Sequence, residues 1–251
     1  MNKSIFIAAA ALGLFVAGAV CATPVTFFGQ DQSPSSSTAN SDGAHAQFMS
    51  YLASGVGTED FESISPGLYA SLPIAFPGST GSITATLGGD LKVCPSNAGS
   101  TSCGFGRFPT SGSQYLQTSD TNFNLTFSTP VSAFGFYGTD IGDINADLTL
   151  TLFLSGGGSQ DFTLNTAGSN DGNELFWGFI DQNASYTGIA FGNSLSADVF
   201  GFDDMIIGDL GQVTGNPNGV PEPGNFAMFG AGLLAMISLL WLRRRRADFK
   251  A

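Results

Sequence analysis

The connection at residues 140–147 contains the densest group of candidate metal ligands in the chain. Its oxygen-bearing side chains are Asp140, Asp143, Asn145 and Asp147. Carboxylate and amide oxygens are the ligands that Ca²⁺ prefers, so the group predicts a calcium site. It is not an EF-hand, because Leu148 stands where that loop needs glycine and Leu154 where it needs glutamate. The alternative is ordinary turn chemistry, in which Asp and Asn bond their own backbone.

Residues that could support catalysis are few. His45 is the single histidine, and no Gly-x-Ser-x-Gly motif accompanies it, so a Ser-His-Asp triad is not predicted. A glycosidase needs only two carboxylates about 5–10 Å apart. Glu59, Glu62 and Glu174 are the glutamates of the central region, and we place Glu59–Glu62 on a strand. This is a weak constellation, so we predict that the protein is not an enzyme.

Two of the three cysteines, Cys94 and Cys103, lie in the central region, and Cys21 lies in the N-terminal segment. Removal of the signal peptide predicted below takes Cys21 with it, and the two cysteines that remain in the exported chain predict a disulfide, closing a loop rich in Gly, Ser and Asn. Two free thiols or a metal-binding pair are the alternatives.

The N-terminus has the pattern of a secretory signal peptide. Lys3 precedes an apolar run from Ile5 to Val20, and small residues follow. We predict a signal peptide over residues 1–22, exported through the Sec translocon and cleaved by signal peptidase between Ala22 and Thr23.

The C-terminus carries the most specific motif, which lies in residues 220–246. It consists of the motif Val220, Pro221, Glu222 and Pro223, an apolar helix over residues 226–242, and Arg243, Arg244, Arg245 and Arg246. Seventeen helical residues span about 25 Å, at the lower limit for crossing a bilayer. The arginine cluster would remain cytoplasmic and leave the main domain outside. Residues 247–251 form a short tail.

This arrangement resembles the PEP-CTERM sorting signal of Gram-negative bacteria. The resemblance implies recognition by exosortase, a membrane transpeptidase, cleavage near the Pro-Glu-Pro motif, and association with exopolysaccharide and biofilm. Two further segments, 134–140 and 200–205, look like strand motifs of ectodomains in the same class of proteins. A simple C-terminal membrane anchor is the alternative.

Charge excludes one class of partner. Between Thr23 and Val220 the chain has eighteen Asp and Glu, and Lys92 and Arg107 are its only Lys and Arg, so its net charge is near −16 with His45 neutral. Because such a surface repels phosphate backbones, nucleic-acid binding is not predicted.

The region 23–209 has the pattern of an antiparallel β-sandwich of the jelly-roll kind, with a barrel as the alternative. Apolar residues alternate with polar ones in short segments separated by Gly, Asn and Asp turns. The predicted strands are 81–87, 123–127, 131–137, 148–154, 162–164, 174–180, 186–191 and 199–207. One helix is predicted over residues 44–53, capped by Ser41 or Asp42. Residues 210–219 have the composition of a flexible linker.

These features predict an exported protein of the cell surface or extracellular matrix, first held in the inner membrane, with a structural or adhesive role. The alternative is a carbohydrate-binding module, with or without calcium, in which Trp177, Tyr115 or Tyr186 stacks on sugar rings. An enzyme acting on glycosides has the least support.

Overall fold

The computed structural model describes residues 23–96, 103–194 and 198–215. They form twelve strands and one α-helix. The strands are β1 (Val25–Asp31), β2 (Gly57–Glu59), β3 (Gly67–Pro77), β4 (Ser82–Pro95), β5 (Gln114–Ser119), β6 (Asn124–Val131), β7 (Ala133–Thr139), β8 (Leu148–Leu154), β9 (Ser159–Leu164), β10 (Glu174–Ile180), β11 (Tyr186–Asn193) and β12 (Val199–Gly208). The helix, α1, spans Ala39–Met49, and a short 3-10 helix spans Leu210–Gln212.

All strand pairs are antiparallel, and the sheet curls into a sandwich, as the sequence predicts. The strand order is β1-β10-β7-β12-β5-β4-β6-β11-β8-β9, with β2 paired to β12 and β3 paired to β4. One layer contains β1, β10, β7 and β12, and the other contains β3, β4, β6, β11, β8 and β9. Strand β5 connects the layers, because it pairs with one end of β12 and one end of β4.

The core between the layers is rich in aromatic rings. Phe136 stacks on Phe202 at a centroid distance of 4.9 Å, and Phe123 lies 4.6 Å from Phe191. Trp177 of β10 packs against Phe134 of β7 in the same core. Because these rings come from both layers, burying them joins the two layers into one domain.

A second, smaller core lies on the outer face of the first layer, under α1. Phe48 of the helix packs on Phe27 of β1 and Phe176 of β10. Strands β7 and β10 are therefore covered on both faces, and every residue in them is buried. Gly29 of β1 lies directly beneath the helix, where a side chain would clash with the carbonyl of Asn40.

The helix begins and ends five and four residues earlier than the sequence predicts. Its first turn is capped from a distance, since the Asp31 carboxylate accepts hydrogen bonds from the backbone N–H groups of Asn40 and Ser41, at 3.1 and 2.8 Å. A carboxylate there satisfies free N–H groups and complements the positive end of the helix dipole. Ser41 and Asp42, the predicted caps, lie inside the helix, and Asp42 accepts a hydrogen bond from Thr38.

Two other local predictions are wrong. Strand β2 ends at Glu59, and the following residues form a turn in which Phe61 has a φ of 59°. Residues 210–215 were expected to be linker but are part of the folded domain. Val213 pairs with Leu52, and the Gly215 carbonyl accepts a hydrogen bond from Gln182.

Several predicted features lie outside the described residues. These are the signal peptide with Cys21 and Ala22, residues 216–219 of the linker, the motif 220–223, the helix 226–242, the arginines 243–246 and the tail 247–251. Within the described part of the chain, no helix has the length and apolar character needed to cross a bilayer.

Candidate functional site

A cleft of about 620 Å³ opens at one end of the first layer, beside the start of α1. Three segments that are distant in sequence surround it: the β1–α1 loop, the loop before β5, and the turn leading into β10. Its lining residues are Gln32, Ser33, Pro34, Ser35, Thr38, Gly106, Arg107, Phe108, Pro109, Thr110, Asp171, Gly172 and Glu174. Hydroxyl, amide, carboxylate and guanidinium groups therefore face one space together with one aromatic ring.

The wall formed by residues 106–110 is held against β12 by two adjacent carboxylates. One oxygen of Asp203 accepts hydrogen bonds from the N–H of Thr110 at 2.8 Å and from that of Ser111 at 3.3 Å. Asp204 accepts hydrogen bonds from the hydroxyls of the same two residues, at 2.9 and 2.8 Å. Burial, followed by the charge of Asp204, raises the pKa of Asp203 to about 8, while the backbone donors oppose that rise.

Arg107 anchors the same wall to Asp140, the residue that follows β7. Its guanidinium lies 2.9 Å from the buried carboxylate of Asp140 and donates a hydrogen bond to the Val199 carbonyl. Asp140 also accepts a hydrogen bond from the N–H of Gly172, on the opposite side of the cleft. Burial raises the pKa of Asp140 to about 7, although Gly172 and Arg107 both act to lower it.

The disulfide predicted between Cys94 and Cys103 is present. It ties the segment that precedes the cleft wall to β4. Cys94, Cys103 and Tyr115 form a small buried cluster there, so the wall begins from a fixed point.

The predicted calcium ligands are only partly brought together. One carboxylate oxygen of Asp140, one of Asp143 and one of Asp171 lie within 4.8 Å of one another. Asp147 is elsewhere, because its carboxylate accepts hydrogen bonds from the N–H groups of residues 166 and 167. Asn145 lies in a turn with a φ of 63°. Calcium binding stays a prediction, and Asp171 replaces Asn145 and Asp147 in the geometry that would support it.

Glu174 lies on the cleft floor and is tied to α1. Its carboxylate accepts a hydrogen bond of 2.6 Å from the Ser41 hydroxyl, and burial raises its pKa. His45, one turn further along the helix, packs edge-on against Tyr137 at a centroid distance of 5.3 Å. Burial lowers the pKa of His45, which favours the neutral imidazole.

Glu59 and Glu62, the other two glutamates considered for glycoside hydrolysis, accept hydrogen bonds from backbone N–H groups. Glu59 accepts a hydrogen bond from the N–H of Phe61 in the turn after β2. Glu62 accepts hydrogen bonds from the N–H groups of Ser113 and Gln114, which lowers its pKa. Neither residue lines the cleft with Glu174.

The prediction that Trp177, Tyr115 or Tyr186 stacks on sugar rings is wrong. Trp177, Tyr115 and Tyr186 are all buried, with at most 2% of the side chain exposed. Trp177 has the inter-layer core on one side of its strand and α1 on the other. The aromatic rings available at the cleft are instead those of the 103–110 segment, where Phe108 lines the space and Phe105 lies on the surface.

Comparison with known proteins assigns no family. No protein-family model matches the chain, and no curated protein matches it. Among solved structures, the chain is similar to the K2 cleaved adhesin domain of Lys-gingipain, with a TM-score of 0.37, 13% identity, and coverage of 62% of this chain and 98% of that one. It is also similar to the CBM22-1 xylan-binding domain of Paenibacillus barcinonensis Xyn10C, with a TM-score of 0.37, 12% identity, and coverage of 66% of this chain and 98% of that one. A third similar structure is TmCBM61 in complex with β-1,4-galactotriose, with a TM-score of 0.26, 15% identity, and coverage of 49% of this chain and 86% of that one.

Proposed function

We propose that this chain is a non-catalytic carbohydrate-binding protein and that the cleft at the start of α1 holds a segment of polysaccharide. The lining of the cleft supports this proposal. Most small-molecule pockets are largely apolar with a few polar groups. Here the side chains of Gln32, Ser35, Thr38 and Asp171 bring donors and acceptors to one open space, with Phe108 beside them. A polyol, which presents a hydroxyl on nearly every carbon, is the ligand that such a lining suits.

The fixed backbone around the cleft also supports binding. Glu174 is bonded to α1, Thr110 to β12, and Arg107 to the residue that follows β7. Polar groups that are held in place before the ligand arrives lose little conformational entropy on binding. The same contacts engage the carboxylates of Glu174, Asp203 and Asp140 in holding the structure, which favours a binding role over acid–base catalysis.

The proposal can be tested by filling the cleft. Ser35 is exposed and lines it, so S35W would place an indole in the ligand space, whereas S63W adds the same group to an exposed turn outside the cleft. We expect S35W to weaken glycan binding by about tenfold or more, equivalent to ~1.4 kcal/mol or more, and S63W to leave it unchanged. Xylan and galactan fragments are the first probes, because domains that bind such sugars are among the similar structures. Equal binding by both variants would contradict this site.

We further propose that the chain is exported and sorted by exosortase through residues 220–246, to act at the cell surface or in an exopolysaccharide matrix. The support is the order of the Pro-Glu-Pro motif, the apolar segment and the arginine cluster in the sequence. Deleting Pro221–Arg246 should release the protein from the surface into the medium. Immunoblotting of cell fractions measures where the deleted form is found. Retention at the surface equal to that of the parent protein would contradict sorting.

A further inference from the structure

Phe105 is the most exposed large apolar side chain of the described residues, with 88% of its surface open to solvent. Single exposed apolar residues are common on proteins, so exposure alone says little. What distinguishes Phe105 is the rigidity of the segment that presents it and its position beside the cleft.

The segment is fixed on the N-terminal side of Phe105. Cys103 is bonded to Cys94 of β4 through the disulfide. The N–H of Gly104 donates a hydrogen bond of 3.0 Å to the side-chain oxygen of Gln117 on β5. Two consecutive residues before the ring are therefore attached to two neighbouring strands.

The segment is equally fixed on the C-terminal side. Gly106 has a φ of 81°, and a side chain at this position would clash with the carboxylates of Asp140 and Asp171. Arg107 then binds Asp140, as described above. The backbone is thus pressed against the domain on both sides of Phe105, while the ring itself contacts solvent.

The next three residues, Gly106, Arg107 and Phe108, all line the cleft, so the backbone that presents the exposed Phe105 ring continues directly into the cleft wall. A phenyl ring offers no hydrogen bond, and what it offers a ligand is a flat apolar face. A pyranose ring has a complementary form, with C–H groups on one face and hydroxyls around its edge. The hydroxyls at the edge can form hydrogen bonds with the polar lining of the cleft, and the C–H face can stack on the ring of Phe105.

We infer that Phe105 is a ligand-binding residue that stacks on a sugar ring of a neutral polysaccharide; this inference rests on the proposed function of the cleft. The net charge near −16 between Thr23 and Val220 repels uronate, sulfate and phosphate groups. Among the described residues, Arg107 is the one cation that lines the cleft, and its guanidinium is engaged by Asp140 and Val199. Anionic polymers therefore find no matching charge at the site.

The experiment compares two exposed phenylalanines in the full-length chain. Phe153 of β8 is 43% exposed and does not line the cleft, so F153A is the matched control for F105A. With neutral xylan and galactan fragments as probes, we expect F105A to lose about tenfold in affinity, equivalent to ~1.4 kcal/mol, and F153A to lose none. Because Phe105 is so exposed, F105A should keep the melting temperature of the parent protein.

A second measurement reports contact directly. F105W introduces an indole at this position, and its fluorescence should become protected from acrylamide quenching as xylan or galactan is added. The indole introduced by F153W should show no such protection. Full affinity of F105A, combined with loss of binding by S35W, would overturn the stacking role and leave the proposed function standing. Failure of the parent protein to bind any neutral glycan would overturn both.

Discussion

The guanidinium of Arg107 lies 2.9 Å from the carboxylate of Asp140, and the two side chains are only 16% and 4% exposed. Lys92 is the other residue with a permanently cationic side chain between Thr23 and Val220. This pair links the wall of the cleft to the residue that follows the central strand β7, so the shape of the cleft depends on it.

Removing the guanidinium should therefore destabilise the protein in a pH-dependent way. R107M leaves the Asp140 carboxylate buried without its ion-pair partner, a change that typically costs about 3 kcal/mol or more. The loss should be larger at pH 8 than at pH 5, because protonation of Asp140 at the lower pH removes the unpaired charge. Urea unfolding at both pH values measures it, and equal losses would contradict a role for this ion pair.

The stability of the parent protein should fall as the pH rises from about 4 to 8. Asp203 has a pKa of about 8 in the folded protein, above its value in an unfolded chain, so the folded state binds more protons across this interval. The free energy of unfolding then decreases with rising pH. Burial raises the pKa values of Asp120, Glu174 and Asp198, which act in the same direction, whereas the lowered pKa values of His45 and Glu62 act in the opposite direction.

The contribution of Asp203 can be isolated with D203N, which should reduce the slope of unfolding free energy against pH. D90N, which removes a carboxylate at an exposed position, is the matched control. Thermal melts between pH 4 and pH 8 measure both variants. Stability that rises with pH over this interval in the parent protein would be inconsistent with the raised pKa values.

Helix α1 should respond in opposite ways to two glycine substitutions. G29A introduces a methyl group against the Asn40 carbonyl and should push the helix off β1, at a cost of about 2–3 kcal/mol. The methyl group added by G43A, within α1 itself, meets no atom within 4 Å, and this substitution should stabilise the helix by about 0.5–1 kcal/mol. Chemical denaturation of the two variants compares them, and similar effects would argue against close packing of helix and strand.

Loss of the disulfide should affect both stability and binding. The bond between Cys94 and Cys103 closes a short loop, with a sequence separation of nine. Removing a bridge of this length by C94S/C103S should cost about 2–3 kcal/mol. Glycan affinity should fall as well, because the segment that presents Phe105 loses one of its attachments. Affinity equal to that of the parent protein would show that the cleft wall is fixed without the bridge.

Residue patterns predict the strands best where one face or both faces are apolar and no proline intervenes. The bounds of β8 and β10 agree with the predicted ones. Strand β3 was not predicted, because it contains Pro73, which is tolerated where a strand pairs on only one side, as β3 does with β4. The start of α1 was misplaced because its cap, Asp31, belongs to a strand and not to the helix's own sequence.

The site was harder to predict than the fold. Its residues come from three segments that only the folded chain brings together, and the segment carrying Phe105 has no periodicity. The sequence does not show that Trp177 is buried, because its ring packs in the inter-layer core against residues of other strands such as Phe134 and Phe162. Asp171 joins Asp140 through the turn before β10, a contact that no local spacing reveals.

Titration calorimetry of the purified full-length chain tests the central claim most directly, with neutral xylan or galactan fragments in one series and polygalacturonate in the other. The proposed carbohydrate-binding function predicts saturable binding of a neutral glycan, no binding of polygalacturonate, and no release of reducing sugar during the titration. Binding of polygalacturonate alone, or no saturable heat with any neutral glycan, would contradict it.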